Sequence, residues 1–487
     1  MFAESSHESS DFNLNQTHFL LKKRDASRRI PANLTLIEQP IERRPECRLL
    51  AASLVYNKRR RKSKFSHRVQ PMSQLWPRRQ IVFGVTAAII LIAAAAVVVE
   101  WHTISRIIFV NGLFSGADQT ENFRKSSSNF PGRIIHKAAQ PYTFAHGSPL
   151  SLPECFINLG KSENTADFLA TTDTTGLLIL KDDAVVFEQY WRGNTASTPW
   201  AAWSVSKSFT SVLVGIAVHD GLIRSIEDPI TRYVPELKGS AYDGARIKDA
   251  LQMSSGARWN EDYSDRQSDV NRFGRTFALG GSLDEFAGTL TREFAPGTFN
   301  RYNSMDAQVL GMILRRTAGK SQSEYLQEKI WSPLGMESDA YWVTDDKGME
   351  FAAGGLNATL RDFAKLGRLY LNDGRWNGAQ IVPAEWVHAS VTPDAPHLMP
   401  GKRASSDSAW GYGFQWWVPD NSGAYSAVGI YNQFVYVNPA LHLVIAKTSA
   451  NHSYGLKNDE ASDREDEHIA FFKAVEGSTH VACNDKK

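Results

Sequence analysis

Apolar and polar positions change rhythm several times along this 487-residue chain, and each change marks a boundary. Residues 81–99, IVFGVTAAIILIAAAAVVV, are 19 uncharged residues in a row, close to the ~20 a helix needs to cross a hydrocarbon core of ~30 Å. Residues 102–150 then turn irregular, and KSSSNFPGR and QPYTFAHGSP are full of turn formers, which predicts a linker and lead-in over 102–164 with order beginning near Phe168. Residues 176–191, GLLILKDDAVVFEQYW, read as two strands around a Lys181-Asp182-Asp183 turn. Residues 208–219 form a strongly apolar helix stopped at Gly221. Short helices follow in IEDPITRYVPEL and IKDALQMSSGARW. Longer ones are predicted over 307–314 (stopped by Gly319), in EYLQEKIWSPLGM and in RDFAKLGRLYLNDG. The last quarter alternates and is rich in aromatic and β-branched residues. GYGFQWWVPD and AYSAVGIYNQFVYVNPALHLVIAKTS predict antiparallel strands with turns at Pro419-Asp420 and Asn438-Pro439, ahead of a final helix over 463–474.

Strands at both ends of the body with helices between them predict an α/β (α+β) fold. It would be one antiparallel sheet flanked by helices, with a helical lobe inserted over about 226–345 and a site between the lobes. The domain is expected over 165–476, with a tail over 477–487. No repeat period, Gly-rich phosphate loop or zinc-ligand spacing is present, so no cofactor and no metal is expected.

Charge alters the reading of the N-terminal quarter. Residues 1–79 hold 17 Lys and Arg against 7 Asp and Glu, a net +10, whereas the rest holds 37 against 45, a net −8. A basic front can signal nucleic acid, but Arg78-Arg79 and the KRRRKSK run at 58–64 sit just before the apolar stretch, where positive charge sets membrane orientation. The expectation is a transmembrane anchor over 80–101 with the body extracytoplasmic, on the periplasmic side of an inner membrane, and no nucleic-acid partner. A buried core helix is the competing reading. A cleaved signal peptide fits less well, because VVVEWHTIS lacks a small-x-small site. Residues 1–71 carry little globular signal, and Met72 opens a well-formed basic lead, MSQLWPRRQIVFGV, which makes Met72 a candidate start. The three cysteines, Cys47, Cys155 and Cys483, form no C-x-x-C pair. Outside the cytoplasm Cys155 and Cys483 are either a disulfide or two free thiols.

The candidate chemistry lies in WAAWSVSKSFTSVLVGIAVHDG, residues 200–221. Ser204 and Lys207, spaced S-x-x-K at a helix start, share one face. A serine hydroxyl needs a neighbouring base; a lysine serves as one when burial lowers its pKa, and the helix N-terminus favours a developing oxyanion. The motif alone is weak, and a plain helix start is the competing reading. Tyr302, in FAPGTFNRYNSMDAQVLGMIL, sits ahead of another apolar run, where a phenol near an ammonium would have its pKa lowered and could shuttle a proton. Gly429, in AVGIYNQFVYV, stands on a strand where a close backbone approach and an oxyanion-binding N–H are expected.

With these elements in order, the chain resembles the serine β-lactamase and penicillin-recognising superfamily. Within it the chain is most similar to the class C-like esterase branch and its aminohexanoate-dimer (nylon-oligomer) hydrolases. The likeness is carried by WSVSKSFTSVLVGIAVHDG, FAPGTFNRYNSMDAQVLG, IWSPLGMESDAYW, EFAAGGLNATLRDFAKLGRLYLNDGRWNGAQIVPAEWV and GYGFQWW, and spans roughly 176–449. It implies a β-lactamase-like fold, with Ser204 as acylated nucleophile, Lys207 as its proton partner and Tyr302 as proton shuttle. It also implies an oxyanion hole from the N–H groups of Ser204 and Ile430. Ser304 stands where many relatives carry an amide, a change shared by the nylon-hydrolase branch. Ala427 and Val428 stand where a β-lactamase carries Lys or His, which favours esters or amides without the carboxylate that cation holds.

Other residues divide between chemistry and scaffold. Glu261 and Asp262 are either cleft residues that bind an amine, as the resemblance hints, or a solvated loop. Ser206 and Ser208 are expected as helix scaffolding, and His219, His388 and His442 take no catalytic part. Trp410, Tyr412, Trp416 and Trp417 are expected to pack the sheet, with Tyr412 alone reaching the cleft. The reading is a membrane-anchored serine hydrolase of a small ester or amide. Its rivals are a penicillin-binding protein or β-lactamase and a non-catalytic envelope binding module. Loops over 260–273 and 393–408 would set the acyl group.

Overall fold

The computed structural model describes residues 78–99, 101–114 and 119–477. The basic segment over 1–77 with Met72 and Cys47, and the tail with Cys483, lie outside the described residues.

The predicted hairpin forms from β1 (Thr174–Lys181) and β2 (Ala184–Tyr190). Its turn residues Asp182 and Asp183 have φ of 50° and 66°, the left-handed pair that a two-residue hairpin loop demands. The C-terminal quarter supplies β3 (Gly411–Tyr412), β4 (Trp417–Val418), β5 (Tyr425–Gly429), β6 (Gln433–Asn438) and β7 (Leu443–Ser449). All seven form one antiparallel sheet in the order β3-β4-β5-β6-β7-β1-β2. The first hairpin therefore closes onto the last strand, with Leu443 opposite Lys181 and Thr448 opposite Gly176.

Both faces of this sheet are covered, which explains why β1 reads as an unbroken apolar run instead of an alternating one. Leu178 and Leu180 join Val435, Val437, Val444 and Ala446 in one core, whereas Leu177 and Ile179 join Phe434, Tyr436 and Ile445 in another. The first face takes α1 (Val205–His219) and α3 (Leu360–Leu371), and α2 (Ser304–Ala318) packs on α1. The second takes α4 (Glu465–Gly477) through Ile469, Phe471, Phe472 and Val475. α3 lies very close to the sheet because it carries Gly367, where a Cβ would stand 2.5 Å from Val444 Cγ1 and 2.9 Å from Val435 Cγ1.

Helix extents differ from the pattern at their ends. α1 and α2 start earlier than 208 and 307, because their first turns hold the polar candidate residues that the apolar rhythm passes over. The final helix is broken by Arg464 at φ 57°, so a short turn at Glu460–Asp463 precedes α4.

The linker expected over 102–164 is corrected. Trp101–Leu113 is a helix, and Gly132–Ile135 joins a second sheet with Ala340–Val343, Leu356–Ala358 and Trp200–Ala201. Cys155–Asn158 pairs with Lys161–Asn164, and Phe123, Ile135, Phe144 and Phe156 are buried. These strands span four residues or fewer, and those of the second sheet pair with distant segments, so local rhythm registers only their turns. Cys155 is disulfide-bonded, while its expected partner Cys483 lies outside the described residues.

Arg78–Val99 is one helix with Val82, Phe83, Val85 and Ile89 to Ile92 exposed. Among the described residues no helix is long and apolar enough to cross a membrane, so the transmembrane expectation is not confirmed.

The approach at Gly367 gives a direct test of how the helix layer seats. Gly367→Val forces a branched side chain into Val435 and Val444, and is expected to cost about 1–3 kcal/mol. Chemical denaturation of the full chain measures it, and an unchanged midpoint would contradict the packing.

Candidate active site

The strand Trp200–Ala201 delivers the chain to α1, with Ala202 N–H donating to Leu356 O at 2.8 Å. Trp203 then takes φ 46°, and the reversal sets Ser204 at the mouth of the helix. Lys207, one turn on, turns its side chain back over Ser204. Its Nζ donates to Ser204 Oγ at 2.7 Å and to Ala353 O at 2.7 Å. Lys207 is 2% exposed. Burial lowers its pKa to about 8, with Glu261 opposing the shift electrostatically. Ser206 and Ser208 are scaffolding, as expected. Ser206 Oγ accepts from Leu356 N–H at 3.1 Å, and Ser208 Oγ donates to Gln415 O at 2.7 Å.

Tyr302 lies just ahead of α2, and Lys207 Nζ stands 5.0 Å above the centre of its ring. The expected lowering of its pKa is corrected. Burial and the charge of Glu261 push the phenol well above 10, and a hydrogen bond with Ser204 only partly offsets them. Tyr302 is therefore a neutral phenol at ordinary pH. Asn303 caps α2 by accepting from Met305 N–H at 2.9 Å. From behind, Asp306 Oδ1 accepts from Asn303 Nδ2 at 2.9 Å, Ser255 Oγ at 2.6 Å and Tyr242 Oη at 2.9 Å. Burial raises the Asp306 pKa to about 7 against these donors.

Ser304 donates from Oγ to Glu261 Oε1 at 2.6 Å and from N–H to Glu261 Oε2 at 3.1 Å. Glu261 also accepts from Tyr263 Oη at 2.7 Å and from the Trp259 indole N–H. Of the two readings for Glu261 and Asp262, neither holds alone: both line the cleft, and Glu261 is occupied in fixing the turn after Tyr302.

Gly429 ends β5 beside Ser204. A Cβ there would stand 2.6 Å from Ala202 O and 3.1 Å from Ser204 N, so the close approach expected at this glycine is made by the chain's own backbone. Ile430 follows in a tight turn whose next residues, Tyr431 and Asn432, have φ of 62° and 67°. Gln433, fully enclosed, holds that turn: its Nε2 donates to Ile430 O at 3.1 Å, Tyr431 O at 2.9 Å and Ser449 O at 2.8 Å.

These residues face a cavity of about 550 Å³ lined by Ser204, Tyr302, Trp417, Val428, Gly429 and Ile430. Seven carboxylates, Glu261, Asp262, Asp269, Glu293, Asp407, Asp463 and Glu465, join the wall against two arginines, Arg258 and Arg301. Arg301 already pairs with Glu293 and Asp407. The 260–273 loop supplies much of one wall, and the 393–408 loop reaches the cavity at Asp407. Val428 lines it where a cation was expected to be missing.

The aromatic assignments exchange places. Tyr412, expected to reach the cleft, is buried behind Tyr302, with ring centres 6.2 Å apart, and does not line the cavity. Trp417, expected only to pack the sheet, lines it and stacks on Tyr302 at 5.2 Å. Sequence reasoning also missed Ala353, Gln433 and Asp306. A backbone carbonyl and an enclosed amide carry no motif, although Asp306 sits one helical turn from Tyr302, where an acid in an apolar run is a signal. His219, His388 and His442 lie outside the cavity.

Comparison with known proteins places the chain. The family model described as Beta-lactamase matches residues 165–470. A 6-aminohexanoate-dimer hydrolase from Paenarthrobacter ureafaciens is 32% identical over 305 residues, covering 60% of this chain and 77% of that protein. A solved structure of a candidate 6-aminohexanoate-dimer hydrolase from Bacillus anthracis has a TM-score of 0.67 at 24% identity, over 75% of this chain and 95% of its own, which shows the fold. A hydrolase with promiscuous acyltransferase activity has a TM-score of 0.51 at 16% identity, over 64% of this chain and 95% of its own. The chain thus belongs to the Beta-lactamase family and is a serine hydrolase of the amide- and ester-cleaving kind.

Proposed function

We propose that the protein hydrolyses a small amide or ester, through an acyl-enzyme on Ser204, and that its substrate carries a free amine. The observation that carries this reading is the buried Lys207 amine at 2.7 Å from the hydroxyl of Ser204, which lines the cavity. In its neutral form Lys207 keeps one N–H on Ala353 O and accepts the Ser204 proton as Oγ attacks the carbonyl carbon. The N–H groups of Ser204 and Ile430 receive the oxyanion. Tyr302, protonated at rest, passes its proton to the leaving nitrogen or oxygen and is reprotonated from Lys207, which restores the base. Water then attacks the acyl carbon by the reverse proton path and frees Ser204.

The excess of carboxylates in the cavity favours a substrate bearing an ammonium group. The 6-aminohexanoate dimer acted on by the Paenarthrobacter relative has that chemistry. Val428 stands in place of the cation that holds the substrate carboxylate in a β-lactamase, which counts against penicillins.

We further infer that the Arg78–Val99 helix tethers the enzyme to the inner membrane, with the catalytic body on the periplasmic side. The uncharged run over 81–99, the exposed apolar side chains on it and the preceding Arg78-Arg79 support this. Carbonate washing of membranes carrying the full chain tests it. Retention in the pellet is expected, and release into the wash would overturn the tether.

A fluorophosphonate probe is expected to label the wild type at Ser204 and to leave Ser204→Ala unlabelled. Hydrolysis of p-nitrophenyl esters, linear 6-aminohexanoate dimer and nitrocefin, compared side by side, should favour the first two. An adduct that survives Ser204→Ala, or efficient nitrocefin turnover, would sink the reading.

The lowered Lys207 pKa fixes the pH response. Because the neutral amine is the active form, kcat/KM should rise with pH and level off above about 8. Lys207→Ala should lower kcat by about 10²–10⁴-fold and remove the limb. A profile flat from pH 6 to 9 in the wild type would show that Lys207 is not the base.

A further inference from the structure

We propose that Phe114 and Phe123, which precede the catalytic sheet, are positioning residues for the oxyanion hole and act through Trp203 and Tyr431. The inference rests on the reading of the Ser204 and Ile430 N–H groups as that hole.

Each of those two N–H groups is flanked by a bulky residue in the left-handed region. Trp203, just before Ser204, has φ 46°, and Tyr431, just after Ile430, has φ 62°. An aromatic residue holds such a backbone only where its surroundings fix it. Here the two side chains meet each other, with ring centres 5.8 Å apart, so the two strained residues form one unit across the hole. Gln433 fixes the Tyr431 turn from the sheet side.

The other side is closed by the N-terminal segment. Phe123 meets Trp203 at 5.2 Å and Tyr431 at 5.0 Å, edge to face in both cases. Phe114 stacks on Tyr431 at 5.6 Å with planes 9° apart, and meets Trp203 at 5.4 Å. Both phenylalanine rings thus touch both strained residues and close the cluster.

This segment is tied down as a structural part. Gln119 Nε2 donates to Ala450 O at 3.1 Å, beside the end of β7. Arg124 Nε donates to Asn194 Oδ1 at 2.7 Å, and its guanidinium lies 5.8 Å from the centre of the Trp200 ring. Asn122 Nδ2 donates to Gly112 O at 3.0 Å, which joins this segment to the Trp101–Leu113 helix. The residues expected to be a linker therefore brace both halves of the hole.

Loss of either ring lets the backbone relax at Trp203 or Tyr431 and turns a donor away from the oxyanion. That charge exists only in the transition state, so kcat should fall while KM holds. Phe114 is 43% exposed, and its removal takes little from the core.

The test uses the full chain, a p-nitrophenyl ester and the fluorophosphonate probe. Phe123→Ala is expected to lower kcat about 10–100-fold, and Phe114→Ala about 3–10-fold, with KM within about threefold, since deleting a donor outright costs 10²–10³. Labelling of Ser204 should slow by the same factors, and Phe114→Tyr, which keeps the ring, should restore the wild-type rate. If Phe123→Ala fails to fold, Phe114→Ala and Phe114→Tyr decide. Wild-type labelling at Ser204 with unchanged kcat in Phe114→Ala overturns this inference alone. So does a fall in kcat matched by a rise in KM. A wild type that takes no label at Ser204 overturns the underlying reading and this inference together.

Discussion

A lysine buried without an ion pair is the constraint on which the site depends. Lys207 bonds Ser204 Oγ and Ala353 O and forms no salt bridge among the described residues. An ammonium taken out of water costs several kcal/mol even after relaxation, whereas the neutral amine avoids most of that cost. The fold therefore shifts the balance toward the form that can accept a proton. It does so by enclosing α1 almost completely: residues 205–217 are buried throughout. The apolar run that marks this helix in the sequence is thus the enclosure that lowers the Lys207 pKa. Packing and chemistry are one feature here, because any change that admits water to the base of α1 also restores the charge on Lys207.

Two carboxylates divide the work around Tyr302. Glu261, at the cavity wall, accepts from both Ser304 groups, Tyr263 and Trp259, and its charge acts on Lys207 and Tyr302 alike. Asp306, behind the same turn, gathers Asn303, Ser255 and Tyr242 on one oxygen. The other oxygen, Oδ2, is buried without a partner. A proton on that oxygen relieves the burial, in line with a pKa raised to about 7. The Tyr-Asn-Ser turn is therefore gripped from front and back, and Tyr302 is fixed between Lys207 and Trp417.

Much of this was legible in the sequence where a local pattern sufficed. The β1–β2 hairpin follows from its Asp-Asp turn, and the closing of that hairpin on β7 follows from strands standing at both ends of the body. Ser204 and Lys207 share a helix face as their spacing predicts, and Tyr302 meets them as the resemblance implies. Apart from the local Trp101–Leu113 helix, the failures depend on contacts between residues far apart in the chain. The strand Gly132–Ile135 pairs with Ala340–Val343, and four residues amid turn formers give no period. Phe114 and Phe123 look like stray aromatics until Tyr431 is placed against both. The exchange of Tyr412 and Trp417 arises because which face of a two-residue strand meets the cleft cannot be read from the strand itself.

The acidic cavity and the buried lysine pull against each other, and the proposed substrate resolves the conflict. Glu261 favours the charged form of Lys207 and so opposes the base. Within the wall, Glu465 is raised to about 8 and Asp463 to about 6, by burial first and in part by neighbouring carboxylates. An empty acidic cleft thus holds protons on its own wall and on Lys207. An ammonium group entering it favours the ionised carboxylates and screens Glu261 from Lys207. The second effect favours the neutral form of Lys207, whose lone pair takes the Ser204 proton. A neutral ester gains no such help. On the proposed reading, an amine-bearing substrate would both bind the acidic wall and favour the neutral form of Lys207.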